Sequence, residues 1–137
     1  NMMRMCRTHR MMFAQLAEQL MREGKRDKAV EVLDFAEEQL PGYNVSYDYT
    51  SASMASMYFA LGEDEKAVAI MDVVANTCVE YLRFNASLNR RQREVMESTI
   101  EREAAILSYV LQTCERNGAK DLVDKYYNDY AQYVNYQ

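Results

Sequence analysis

Gly24-Lys-Arg-Asp-Lys-Ala-Val30 and Gly62-Glu-Asp-Glu-Lys-Ala-Val68 are two versions of one pattern. In each, a glycine is followed four residues later by Lys-Ala-Val, and ten residues later by an aspartate, Asp34 or Asp72. Upstream of each glycine lies a stripe at helical spacing: Phe13, Leu16, Ala17 and Leu20 in the first copy, Met54, Ala55, Tyr58 and Leu61 in the second. Apolar residues three and four apart form one face of a helix. A glycine just beyond such a stripe ends the helix, because it enters the left-handed conformation without steric cost. Each copy therefore reads as helix, turn, helix.

Outward from these turns, the periodicity predicts six helices, over 3–23, 26–40, 46–61, 64–86, 88–117 and 119–135, with the Gly and Pro punctuation falling between them. The fold class is all-α, a stack of about three antiparallel helical hairpins. With four Gly and one Pro in 137 residues, the chain has too few turn residues for a sandwich or barrel of short strands. An apolar fraction of 49% provides for a packed core.

The repeat resembles the tetratricopeptide unit, a helix–turn–helix of about 34 residues. The residues that carry the resemblance in the first copy are Phe13, Leu16, Ala17, Leu20, Gly24, Ala29, Leu33, Ala36 and Pro41. Ala17 and Ala29 are small where two helices of a hairpin cross, and Pro41 cannot continue a helix. The second copy keeps Ala55, Tyr58, Gly62 and Ala67. It departs at Ser51, Val74 and Val79, where the family favours an aromatic, an Ala and a Pro. A third copy is degenerate: Leu107, Val110, Leu111 and Cys114 supply its first stripe and Gly118 its turn, but Val123 and Tyr130 replace the small residues. About 22 residues of extra helix separate its turn from the family spacing. The resemblance implies a single domain over 1–137, with clear repeats about 10–41 and 48–79 and a degenerate one about 88–135.

The formal net charge of −5 has the wrong sign for a phosphate-binding footprint, so nucleic acid is excluded as a partner. Residues 1–13 are a local exception, with Arg4, Arg7 and Arg10 and no acid. Cys6, Cys78 and Cys114 are scattered and odd in number; they read as buried small hydrophobes, not as a disulfide framework or a zinc site. His9 is the single histidine and has no orienting acid at helical spacing to complete a catalytic constellation. Glu37 and Glu38 are adjacent, so on a helix they point apart. No nucleotide-binding, zinc-protease or nucleophile-elbow pattern occurs. The domain reads as non-enzymatic, with no catalytic, cofactor or metal residues. Asn44-Val-Ser46 and Asn85-Ala-Ser87 match the glycosylation acceptor, which matters only in a eukaryotic secretory protein. No apolar run reaches the roughly 18 residues of a membrane span. The first residue is Asn, so the chain reads as a piece of a longer protein.

Interaction is the remaining class, with a protein or peptide as partner. The concave face of a tetratricopeptide array is lined by the first helix of each hairpin. Here that maps to Met11, Ala14, Glu18 and Met21, then Tyr49, Ala52, Ser56 and Phe59; of these, Met11, Glu18, Met21, Tyr49 and Phe59 are the candidate interaction face. The family's carboxylate clamp of Lys and Asn is missing, so an apolar or mixed segment fits better than an acidic C-terminus. Eleven tyrosines suggest a second surface, because Tyr is enriched at interfaces. Tyr43, Tyr47 and Tyr49 crowd one loop. Tyr126, Tyr127, Tyr130 and Tyr133 form a candidate docking helix. Between them, the stretch Asn89 to Glu103 is highly charged; its first turns project past the core, and Arg90–Glu94 and Arg93–Glu97 are spaced to pair.

The run Leu33-Asp-Phe-Ala-Glu-Glu-Gln-Leu-Pro-Gly-Tyr-Asn-Val-Ser-Tyr-Asp-Tyr-Thr50 is similar to the helical C-terminal region of multi-spanning membrane proteins of Bacteroides-type bacteria, whose membrane part resembles protein O-mannosyltransferases. The similarity extends over about Arg4 to Leu88. It implies a soluble accessory domain of a membrane-embedded glycosyltransferase-like protein, most naturally periplasmic, with Arg4, Arg7 and Arg10 close to the last span. Its partner would then be the parent's membrane domain or a second copy of the chain. The alternative is a free-standing, cytoplasmic adaptor or regulatory protein.

Overall fold

The structure, a computed structural model, describes the backbone of residues 2–39 and 49–135 and the side chains of residues 9–39 and 50–133. Among these residues it is all-α, with six helices and no strand: α1 (Met2–Arg22), α2 (Arg26–Gln39), α3 (Tyr49–Ala60), α4 (Asp64–Ala86), α5 (Arg90–Arg116) and α6 (Lys120–Asn135). Pro41, Tyr43, Tyr47, Tyr136 and Asn44-Val-Ser46 lie outside the described residues, as do the side chains of Arg4, Cys6, Arg7 and Tyr49.

Three turns share one construction. Gly24, Gly62 and Gly118 have φ of 78°, 81° and 79°. At each, the glycine N–H donates to the carbonyl three residues back, and the next N–H reaches five residues further in the helix: Lys25 to Leu20 at 2.9 Å, Glu63 to Tyr58 at 2.9 Å and Ala119 to Cys114 at 2.9 Å. This double bond satisfies carbonyls that a helix end leaves unpaired. The following helix then begins at the same offset, with Ala29 donating to Lys25 and Ala67 to Glu63. A Cβ at any of the three glycines would meet no atom within 4 Å. The constraint is therefore the positive φ, not room.

The chain divides into two compact units, Asn1–Ile70 and Met71–Gln137, with the boundary inside α4. In the first, α1 packs on α2 and α3, around Ala17, Ala29, Leu33, Ala55 and Ala67, all with no measurable exposure. Phe13 meets Phe35 edge-on, ring centres 5.5 Å apart. Leu16 departs from the expected core stripe: it is 49% exposed, because the α1 face that packs inward runs through Arg10, Ala14 and Ala17 and leaves Leu16 to one side. Arg10 also departs from expectation. It is buried and donates to Ser51 Oγ at 3.1 Å, joining α1 to α3, so it belongs to the interior and not to an exposed basic strip.

In the second unit α5 and α6 form a hairpin. Its core is built from Val74, Cys78 and Leu82 of α4, Leu107, Val110 and Cys114 of α5, and Leu122 and Tyr126 of α6. The start of α5 is capped by Asn89, whose side chain accepts from Gln92 N–H at 2.9 Å while Gln92 returns a bond to the Asn89 N–H at 3.0 Å. This reciprocal box holds the α4–α5 corner. Residues 90–99 of α5 include no buried side chain, and burial begins at Ile100.

Candidate functional site

The two aspartates of the repeat have the same kind of work. Asp34 Oδ1 accepts from Tyr58 Oη at 2.8 Å and, with Oδ2, from Lys66 Nζ at 3.0 Å. Asp72 Oδ1 accepts from Tyr126 Oη at 2.6 Å and from Lys125 Nζ at 3.1 Å. Tyr58 is held above the usual phenol range, first by burial and then by Asp34. Asp72 is held below the usual carboxylate range, chiefly by the Tyr126 hydroxyl. Each cluster ties an aspartate on the second helix of one hairpin to a tyrosine from another helix of the same unit. Each aspartate is engaged by a tyrosine and a lysine of its own unit, so these are latches of the fold.

A second polar pair is buried in the core. Cys78 Sγ–H donates to Glu103 Oε2 at 3.3 Å, and burial pushes the Cys78 thiol far up. Cys114 is fully buried, its thiol raised by burial to about 11. Neither thiol is placed as a nucleophile, since nucleophilic cysteines have depressed pKa values. His9 is exposed. Among the described residues no group of three or more His, Cys, Asp or Glu is arranged around a metal position. No described helix is long and apolar enough to cross a membrane.

The sequence-predicted interaction face is only partly accessible. Met11 and Glu18 are exposed and Met21 is half-buried. Glu18 is bonded to Arg22 at 2.6 Å along the same helix. Phe59 corrects the expectation: it is 6% exposed and belongs to the core, as do Ala14 and Ala52. The α3 segment that carries it has no charged residue and its polar positions are small Ser and Thr, so helical spacing alone does not separate a concave face from a buried one. The four tyrosines of α6 also take different roles. Tyr126 is the buried latch, Tyr127 is 56% exposed, and Tyr130 and Tyr133 are half-buried.

Tyr133 lines an open cleft of about 740 Å³ in the second unit. The end of α4, the first turns of α5 and the end of α6 enclose it. Leu82 and Ile100 lie at its base, and its walls carry Arg83, Arg93, Glu94, Glu97, Glu101 and Asp129. Four of these charges are engaged: Arg83 with Asp129 at 3.1 Å, Glu94 with Arg90 at 3.7 Å, and Arg93 with backbone carbonyls. The cleft exists because α5 overshoots the core by about two and a half turns, as its charged start implied, and the capped corner aims those turns alongside α4. The sequence reading marked the overshoot and Tyr133 but did not bring them together.

Comparison of the chain with family models, with characterised proteins and with solved structures finds no match.

Proposed function

We propose that this chain is a non-catalytic interaction domain made of tetratricopeptide-like hairpins, serving as the accessory part of a membrane-embedded glycosyltransferase-like protein on the periplasmic side. The observation that carries the interaction reading is the cleft beneath the α4–α5 corner. It combines a base of Leu82 and Ile100 with the aromatic Tyr133 and a charged rim. An aromatic side chain inside a polar, solvent-accessible rim is a common make-up of a protein-interaction patch. The three like turns at Gly24, Gly62 and Gly118 support the repeat family.

The interaction reading is tested by panning the whole chain against displayed random peptides. Selected peptides should lose binding to the Ala86→Trp variant, in which an exposed cleft residue becomes large enough to fill the space, with helicity unchanged. Selection of nothing, or of peptides indifferent to Ala86→Trp, would refute it. The tethering reading is tested by the reading frame upstream of residue 1. Hydrophobic spans there support it, and an initiation codon directly before residue 1 refutes it.

A further inference from the structure

Corresponding residues of the first two repeats lie 38 positions apart, Gly62 answering Gly24. Four apolar positions of the first hairpin, Phe13, Leu16, Leu20 and Val32, correspond in this way to Ser51, Met54, Tyr58 and Ile70. Every member of the second set is buried. No member of the first set is. Leu16 is 49% exposed where Met54 is 1% exposed, and Phe13, Leu20 and Val32 are only half-buried.

The α3 face is met by the first hairpin itself. Arg10 of α1 donates to Ser51 Oγ at 3.1 Å, and Asp34 of α2 accepts from Tyr58 at 2.8 Å and from Lys66 at 3.0 Å. The matching face of α1 and α2 has no such cover among the described residues. Its cation is repeated as well. Lys28 stands where Lys66 stands in the second repeat; it is exposed, and no ion pair among the described residues includes it. The first hairpin thus carries, uncovered, a second version of the face by which α3 and the start of α4 are joined to it. In a stack of repeats each unit completes such a face of its neighbour.

We infer that the face formed by Phe13, Leu16, Leu20 and Val32 receives a helix–turn–helix hairpin of a partner protein, one that lays a carboxylate against Lys28 as Asp34 is laid against Lys66. Two details of that partner follow. Phe13 offers a guanidinium no acceptor, so an apolar residue takes the place of Arg10. Leu20 has no hydroxyl, so Lys28 is the polar counterpart of the partner's carboxylate. A second copy of this chain does not fit, because its Asp34 and Arg10 are already held by its own α3. The inference goes beyond the cleft reading and uses none of its residues.

Fluorescence anisotropy with the whole chain tests this. The probe is a fluorescein-labelled peptide with the sequence of residues 9–39 carrying Arg10→Leu. It should bind, and Leu16→Glu in the chain should weaken it at least about tenfold. Lys28→Glu should weaken it about threefold, and a second probe that also carries Asp34→Lys should prefer the Lys28→Glu chain. Val95→Glu, at an exposed position of α5, and Ala86→Trp in the cleft should change nothing, which separates this face from the cleft. A lone hairpin is weakly helical, so a second variant keeps the test decisive. In it residues 9–46 are written twice in tandem, the first time with Arg10→Leu and the second time with Leu16→Cys. Iodoacetamide labelling of that cysteine, read by mass spectrometry, should be at least about tenfold slower than in the Leu16→Cys chain without the added hairpin, and such slowing supports the proposal whether or not the peptide binds. No peptide binding together with unslowed labelling overturns it. Binding indifferent to Leu16→Glu also overturns it, since the peptide would then be displacing the chain's own first hairpin. Sedimentation that shows self-association abolished by Leu16→Glu overturns a foreign hairpin in favour of a second copy.

Discussion

Tyr58→Phe removes one hydroxyl from the interior and leaves the ring. Tyr58 is 1% exposed, and its hydroxyl bonds Asp34 at 2.8 Å. A hydrogen bond to a charged group contributes about 1.5–3 kcal/mol. Asp34 keeps Lys66 after the change and is 44% exposed, so it is not stranded without a partner. The lower part of that range applies, about 1.5–2 kcal/mol. Lys66→Ala removes a pair in which both side chains are 44% exposed, and such pairs contribute about 0.2–1 kcal/mol. The order of the two effects is thus fixed by burial. Urea unfolding followed by far-ultraviolet circular dichroism measures both. With a slope of about 2 kcal/mol/M, Tyr58→Phe lowers the midpoint by roughly 0.8–1 M and Lys66→Ala by under about 0.5 M. A double-mutant cycle of Tyr58→Phe with Asp34→Asn should return a coupling of about 1–2 kcal/mol. A Tyr58→Phe change of less than about 0.5 kcal/mol, or a larger cost for Lys66→Ala, would refute the latch.

The same physics yields further expectations. Asp72 has a depressed pKa, so its contribution is present above the unfolded carboxylate value near 4 and disappears as pH falls through the lower folded value; Asp72→Asn should flatten stability measured across that acid window. Gly118→Ala should cost about 1 kcal/mol, as should Gly24→Ala and Gly62→Ala, because all three hold positive φ in open space; a neutral effect at Gly118 in calorimetry would refute the equivalence of the third turn. Cys78 and Cys114 should resist iodoacetamide in the folded chain and react on unfolding, because burial raises both thiols; fast native labelling of either, read by mass spectrometry, would contradict their burial.

Where the described residues reach past them, helix ends were legible in the sequence to within about two residues, since apolar stripes and three glycines mark them independently. The latches were half legible. Asp34 and Asp72 share an offset from their glycines, yet Tyr58 stands in α3 and Tyr126 in α6, so repetition of the aspartate did not identify its partners. Residue type misled at two positions. Arg10 reads as surface and is buried, because a guanidinium can satisfy several acceptors inside. Phe59 reads as a groove residue and is core; α3 has no charged residue to mark its outer side, and its Ser and Thr positions are too weak a signal.

The cleft lay beyond sequence reasoning for a more general reason. Local rules pair Arg93 with Glu97, a contact worth about 0.2–0.5 kcal/mol on an exposed helix. The folded corner offers Arg93 two carbonyls at the end of α4; that of Ala86 lies at the helix terminus, where acceptors lack intrahelical partners, and that of Asn85 also accepts from the Leu88 N–H at 3.1 Å. Two charge-assisted bonds to such acceptors outweigh one weak surface pair, so the arginine follows tertiary structure. What it abandons is the carboxylate of Glu97, and Glu101 on the next turn likewise has no ion-pair partner among the described residues. Replacing Arg93 by Lys keeps the charge but cannot reproduce a two-nitrogen contact with two carbonyls. Arg93→Lys should therefore loosen the corner, seen as faster amide exchange at residues 85–93. It should also free a cation within reach of Glu97, four residues on along the same helix. Unchanged or slower exchange would show that Arg93 does not hold the corner.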